Sequence, residues 1–270
     1  MDKPDSSRNQ FLVSFATVIL FAVGTHDAPA ISLSRSDTLK IGKRIWHNEC
    51  DGTITGLTAW NEGENFASLG IGHFIWYPKG QRGPFEESFP KLVSFMMTRG
   101  VKLPALLLGA RERPCPWNSR EEFLRAQHTQ EMKQLRQFLA GTVDLQAEFL
   151  IARQQSSLPK MLAETAPADR PNVERQFERV ARTPQGCYAL VDYVNFKGEG
   201  VLHTERYQGQ GWGLLQVLEQ MPAGDGDALK EFSRAAVIVL KRRVANSPPE
   251  RGEARWLPGW LNRVRSYSRG

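Results

Sequence analysis

The sequence predicts an α+β protein dominated by α, and three observations carry that class. One early stretch, Thr53 to Leu69, alternates β-favouring residues around a Gly-containing turn. Almost everything after it repeats apolar residues at helical spacing. There is no βαβ alternation and no GxxxxGKS or GxxxxGKT motif, so a Rossmann or P-loop nucleotide domain is not supported.

The elements follow in chain order. Ser34, Ser36 and Asp37 are competent N-caps for a helix from Ser34 to Glu49. Leu39, Gly42, Trp46 and Glu49 fall on one face of it, and Asp51-Gly52 stops it. Thr53 to Trp60 favours extended backbone, Asn61-Glu62-Gly63-Glu64-Asn65 is turn chemistry, and Phe66 to Leu69 returns as the partner strand. Gly70 and Gly72 would loosen a strand interior, so the backbone is expected to bend or approach something closely there.

Helices are then expected at Pro84–Arg99, at Phe123–Leu139 behind a Ser119/Glu122 capping box, and at Val143–Gln154. Ser156 to Arg170 reads as a short helix plus a surface loop. Further helices are expected at Asn172–Ala181, Gly186–Phe196, Gly211–Met221, Ala228–Ala245 (capped by Asp225 or Asp227) and Pro258–Tyr267.

The net charge is +6 with a pI near 9.3, which suits an anionic partner such as nucleic acid, acidic lipid or an anionic cell-wall polymer. No basic stripe interleaves with aromatics, so nucleic acid is not expected. Lys3 and Arg8 precede an apolar run, Phe11 to Gly24, and Ala28-Pro29-Ala30 offers a small-x-small cleavage site. Asp2 and Asp5 offset the two cations. The run falls short of the roughly 20 residues a spanning helix needs. The expectation is an export signal over residues 1–30, a mature domain over 31–270, no stable membrane span after cleavage, and a periplasmic or secreted location. Cys50, Cys115 and Cys187 form an odd count without zinc-ligand spacing, and read as small buried residues.

Several side chains are candidates for chemistry. A carboxyl group on an apolar helix face is poorly hydrated when ionised, which favours the protonated form that a general acid needs; Glu49 is so placed. Glu62 and Glu64, in the turn, offer the second carboxylate of a glycosidase pair, and Ser68 a hydroxyl for water or substrate. His73 follows two glycines and precedes Phe74, Ile75 and Trp76. No HExxH exists, and His47, His128 and His203 show no ligand spacing with His73, so neither a metal nor a cofactor is expected. Tyr207, Gln210 and Trp212 sit in a Gly-rich stretch where rings could stack on sugar faces and an amide bond hydroxyls. Glu199 and Glu205 flank it as spare acids.

The order of Glu49, an acidic turn, and Ser68-Leu69-Gly70-Ile71-Gly72-His73 resembles the catalytic core of the bacteriophage-type lysozymes, glycoside hydrolase family 24. That family places Glu at the end of its first helix, then an acidic residue, then Thr-x-Gly-x-Gly-His. Glu49 takes the acid position, Glu62 stands where the family has Asp, Ser68 replaces Thr, and Gly70, Gly72 and His73 match directly. The hairpin is longer by about four residues, and the chain carries extra helical segments at about 84–182. Ala189 to Phe196 and Arg255 to Arg263 are looser echoes, the former of a Leu-x-Ser-Phe-x-Phe-Asn helix and the latter of a closing Leu-Pro-Gly-Leu-x-x-Arg segment. Gly211-Trp212-Gly213-Leu214-Leu215-Gln216 loosely resembles the Gly-Leu-Met-Gln segment of lytic transglycosylases.

The resemblance implies a lysozyme-like fold, one small β-hairpin followed by a helical body. It implies an exported, muramidase-like hydrolase of peptidoglycan or a related amino-sugar polymer. Glu49, Glu62 and Ser68 would then be catalytic, and Glu64, His73, Tyr207, Gln210 and Trp212 would touch substrate. A lytic transglycosylase, a chitosanase-like enzyme and a non-catalytic wall-binding protein are the alternatives.

Overall fold

Helix α1 (Arg35–Cys50) begins where the sequence caps it: the Ser34 side chain accepts from the Asp37 N–H at 3.1 Å. It ends on Asp51 in the left-handed conformation. The structure is a computed structural model and describes residues 33–83 and 85–269. The export segment and its cleavage site lie outside the described residues, as does Pro84.

The expected two-stranded hairpin is a three-stranded antiparallel meander: β1 (Thr58–Ala59), β2 (Ala67–Leu69) and β3 (Phe74–Trp76). Ser68 pairs with Ala59 on one side and Ile75 on the other. Thr53 to Leu57 forms turns rather than strand, because the Thr53 hydroxyl and Thr53 N–H both bond the Cys50 carbonyl and coil the chain back onto α1. The Gly70–His73 segment is the β2–β3 turn. Gly70 has φ 76°, and a Cβ on it would meet the Gln146 Oε1 at 2.4 Å.

Helix α2 (Phe89–Thr98) starts later than expected. The residues before it are bonded to the third strand: the Ser88 hydroxyl accepts from the Ile75 N–H and the Glu87 carboxylate from the Tyr77 N–H. The expected Phe123–Leu139 helix is split into α3 (Arg120–Ala126) and α4 (Gln130–Gly141), with Thr129 capping the second. The Ser119 cap is present, but Glu122 reaches Asn118 rather than closing the box. Helix α5 (Val143–Glu164) runs straight through Pro159, where a surface loop was expected. Leu158 and Met161 are buried on either side of the proline, so packing outweighs the lost backbone bond.

Helices α6 (Arg170–Ala181) and α7 (Pro184–Lys197) match the expected pair. Next, in the Gly-rich stretch, comes a small hairpin, β4 (Arg206–Tyr207) and β5 (Gln210–Gly211), so that Gly211 ends a strand rather than opening the next helix. Its two-residue turn, Gln208-Gly209, has φ 50° and 75°, the twist that closes tight hairpins. Helix α8 (Leu214–Gln220), α9 (Ala228–Asn246, capped by Asp227) and α10 (Leu257–Arg265) complete the chain.

The architecture is predominantly helical with a small antiparallel sheet. The core runs from Ile45 of α1 through Leu69, Phe74 and Trp76 of the meander to Leu150, Leu190 and Phe232. Helices α2 to α6, in the region of extra length, are integral to it: α5 packs on both α1 and α7. All three cysteines are free and buried. No described helix is long and apolar enough to cross a membrane.

Gln146, fully buried on α5, holds the β2–β3 turn. Its Oε1 accepts from the Ile71 N–H at 2.9 Å and its Nε2 donates to the Leu139 carbonyl at 2.6 Å. Gln146→Leu leaves that N–H and that carbonyl without the amide and is expected to destabilise the protein by about 1–3 kcal/mol, measured by denaturant unfolding.

Candidate active site

A cleft of about 620 Å³ lies between the meander, α5 and α7. Ser68, Gly72, His73 and Ile75 form its floor, Leu150, Arg153, Gln154 and Lys160 one wall, and Val191, Val194 and Asn195 another. Glu49 enters from the last turn of α1, Glu64 from the β1–β2 turn, and Glu199 and Glu205 from the segment after α7.

Glu49 is tied to the far end of the chain. The Arg263 Nη2 donates to its Oε1. The same guanidinium grips Asp192 through Nε and Nη2, both at 2.8 Å. Asp192 is fully buried and also accepts from the Tyr267 hydroxyl at 2.6 Å and from Asn48 Nδ2 at 3.2 Å. Burial by itself lowers the pKa of Arg263. The hydrogen bonds and charge of Asp192, with the charge of Glu49, outweigh it and push its pKa above the ordinary guanidinium range. Burial, then the Asp192 charge, pushes the neighbouring Tyr188 up to about 12. The apolar stripe on α1 identified Glu49 as half-buried; its arginine partner, 214 positions away, had no local signal beyond the closing Leu-Pro-Gly segment.

The turn carboxylates separate. Glu64 lines the cleft, its Oε2 accepting from Asn61 Nδ2 at 3.1 Å and its backbone carbonyl from Trp60 Nε1 at 2.8 Å. Glu62, expected as the second carboxylate, is exposed and does not line the cleft, whereas Glu64 does. Ser68 is buried in the central strand between Ala67 and Leu69 of the core, and it lines the cleft floor. His73 has φ 46°; its Nε2 lies 3.2 Å from the Gly56 carbonyl and 3.5 Å from Cys50 Sγ, so the ring braces the turn while it borders the cleft.

Tyr207, Gln210 and Trp212, expected to touch substrate, do not line this cleft. Trp212 is buried with its ring centroid 4.4 Å from that of Tyr207, whose hydroxyl donates to Glu253 at 2.9 Å. Gln210 borders a separate polar pocket of about 220 Å³. The spare acids are in the cleft instead. Glu199 pairs with Lys160 at 3.2 Å, and Glu205 accepts from the Gly200 N–H at 2.7 Å. Glu86, Arg153 and Gln154 also line it and carried no sequence signal, whereas Asn195, also in the lining, belongs to the echoed segment of α7.

With this geometry in hand, no family model, no curated protein and no solved structure matches the chain.

Two measurements check the electrostatic frame. Arg263→Met leaves Asp192 buried without its cation and is expected to cost about 3–5 kcal/mol in denaturant unfolding. Lys197, at the end of α7, lies with Nζ 3.3 Å from the Trp260 ring centroid. Burial, then the nearby Arg243, brings its ammonium from 10.5 down to about 6. The unfolded chain therefore binds the extra proton between those values, and stability contributed by this site rises with pH across that window. Lys197→Met is expected to raise the melting temperature most at or below pH 6. Its advantage should fade towards pH 10.5, as thermal melts across pH would show.

Proposed function

We propose that this protein is a glycoside hydrolase. More particularly, it is a muramidase-like enzyme that cuts the glycan strand of peptidoglycan or a related amino-sugar polymer. The observation that carries this reading is the presence of Glu49 and Glu64 on one cleft, with the Ser68 strand as its floor. A pair of carboxyl groups in one cleft is the equipment glycoside hydrolysis needs. The resemblance of Glu49 and Ser68 to His73 to the bacteriophage-type lysozymes supports it, and so does the Arg263 contact from the echoed closing segment.

Glu49 protonates the leaving glycosidic oxygen. Arg263, held mainly by Asp192, fixes the position of Glu49. Glu64 stabilises the oxocarbenium-like carbon or orients the attacking water, and the Ser68 hydroxyl holds that water. An exported enzyme with a net charge of +6 is drawn to an anionic wall, in keeping with the signal-like first thirty residues.

Glu49→Gln keeps an oxygen for Arg263 but cannot supply the proton. It is expected to lower glycan cleavage by about 10²–10⁴-fold. Glu64→Gln should also be strongly impaired, while Glu62→Gln stays near the parent rate. The assay is release of reducing ends from purified peptidoglycan and chitosan, with products analysed by mass spectrometry. Equal rates for parent and Glu49→Gln would remove Glu49 from the reaction, and anhydro-sugar ends would reassign it to transglycosylation.

A further inference from the structure

The charge of the cleft runs against that of the protein. The whole chain is at +6, yet the cleft presents Glu49, Glu64, Glu86, Glu199 and Glu205 against the cations Arg153 and Lys160. Three of these carboxylates have a cation: Glu49 has Arg263, Glu86 has Arg153 at 2.9 Å, and Glu199 has Lys160 at 3.2 Å. Glu64 and Glu205 form no ion pair among the described residues. Glu205 accepts from the Gly200 and Leu202 N–H groups with Oε2 alone, leaving Oε1 without a hydrogen bond among the described residues. Burial pushes its carboxyl above the usual range, against the pull of the Gly200 N–H. A cation placed beside it would relieve that penalty.

A second, independent sign of a ligand stands on α5. Gln154 of α5 is 2% exposed and lines the cleft, yet neither its Nε2 nor its Oε1 has a hydrogen-bond partner among the described residues. An unmatched buried amide is costly, and native proteins keep few of them. A carboxamide that must both donate and accept is complementary to a sugar hydroxyl or amine, which does the same.

We propose that the cleft selects amino-sugar strands carrying free 2-amino groups over N-acetylated ones, with Glu205 and Glu64 facing the ammonium groups and Gln154 pairing with the sugar's polar substituents. The proposal rests on the glycosidase reading for its ligand class, but it is tested by binding and not by turnover. N-acetylation removes the charge of the amine, so an acetylated residue leaves these two glutamates without a cation. A glucosaminyl residue brings the missing cation. Such residues occur in chitosan-like polymers and in de-N-acetylated peptidoglycan, and the shared chemistry is the free amine.

The test is calorimetric binding of fully de-N-acetylated and fully N-acetylated glucosamine hexamers to the full chain at about pH 6, where the sugar amine is mostly protonated. Peptidoglycan pull-down before and after chemical N-acetylation distinguishes the wall from chitosan as the source. The expected result is a preference of about tenfold or more for the amine-bearing hexamer, roughly 1.4 kcal/mol. That preference should shrink in Glu205→Gln and at high salt. Equal binding of the two hexamers, or tighter binding of the acetylated one, would overturn the proposal. So would a preference that Glu205→Gln leaves intact; if that variant fails to fold, Glu64→Gln takes its place under the same criterion. A preserved binding preference with no cleavage of any polymer would sink the glycosidase reading and leave the charge selection standing.

Discussion

One guanidinium, Arg263, joins the beginning of the described chain to its end. It reaches from α10 to Glu49 on α1 and to Asp192 on α7, so three helices distant in sequence share one set of hydrogen bonds. Asp192 is fully buried, and the arginine is what makes its charge tolerable there. Tyr267 and Asn48 satisfy the remaining acceptor positions. Because the proposed acid lies on the same network, its placement depends on the packing of α10 against the body. The site is thus coupled to the stability of the fold rather than grafted onto a loop.

The cleft is built by a second constraint, the tight β2–β3 turn. Gly70 adopts a positive φ against Gln146, and the Ile71 N–H is spent on that glutamine rather than on a strand. This fixes the end of the meander against α5. Residues Leu150 to Lys160 of the same helix then become the cleft wall, and the helix must continue past Pro159 to include them all on one rigid element. The segment from Leu150 to Lys160 is therefore part of the cleft and not an appendage.

Local chemistry made much of this legible. The N-caps Ser34, Thr129, Thr183 and Asp227 are each residues whose side-chain oxygen finds a backbone N–H three positions on, although only Ser34 and Asp227 stood out as caps in the sequence. Glu49 was visible because its position on an apolar stripe is a property of 3.6-residue periodicity. Other features were not legible for physical reasons. The third strand is only Phe74–Trp76, too short to show a period, and the extended reading of Thr53–Leu57 lost to Thr53 bonding back to Cys50. Tyr207 and Trp212 look like sugar-stacking rings in sequence, but a buried hydroxyl partner, Glu253, and a positive-φ turn fold them onto each other.

What the sequence by itself determined is the class of the fold, the helix faces, and the order Glu49, acidic turn, Ser68 and Gly70 to His73. These depend on residues within a turn or two of one another. Only the tertiary structure decided that Glu64 and not Glu62 lines the cleft, that Arg263 is the partner of Glu49, and that Glu205 and Gln154 look for partners there. Those outcomes depend on which side of a turn faces α5 and on elements more than a hundred residues apart. Long-range packing sets both, and no local periodicity encodes them.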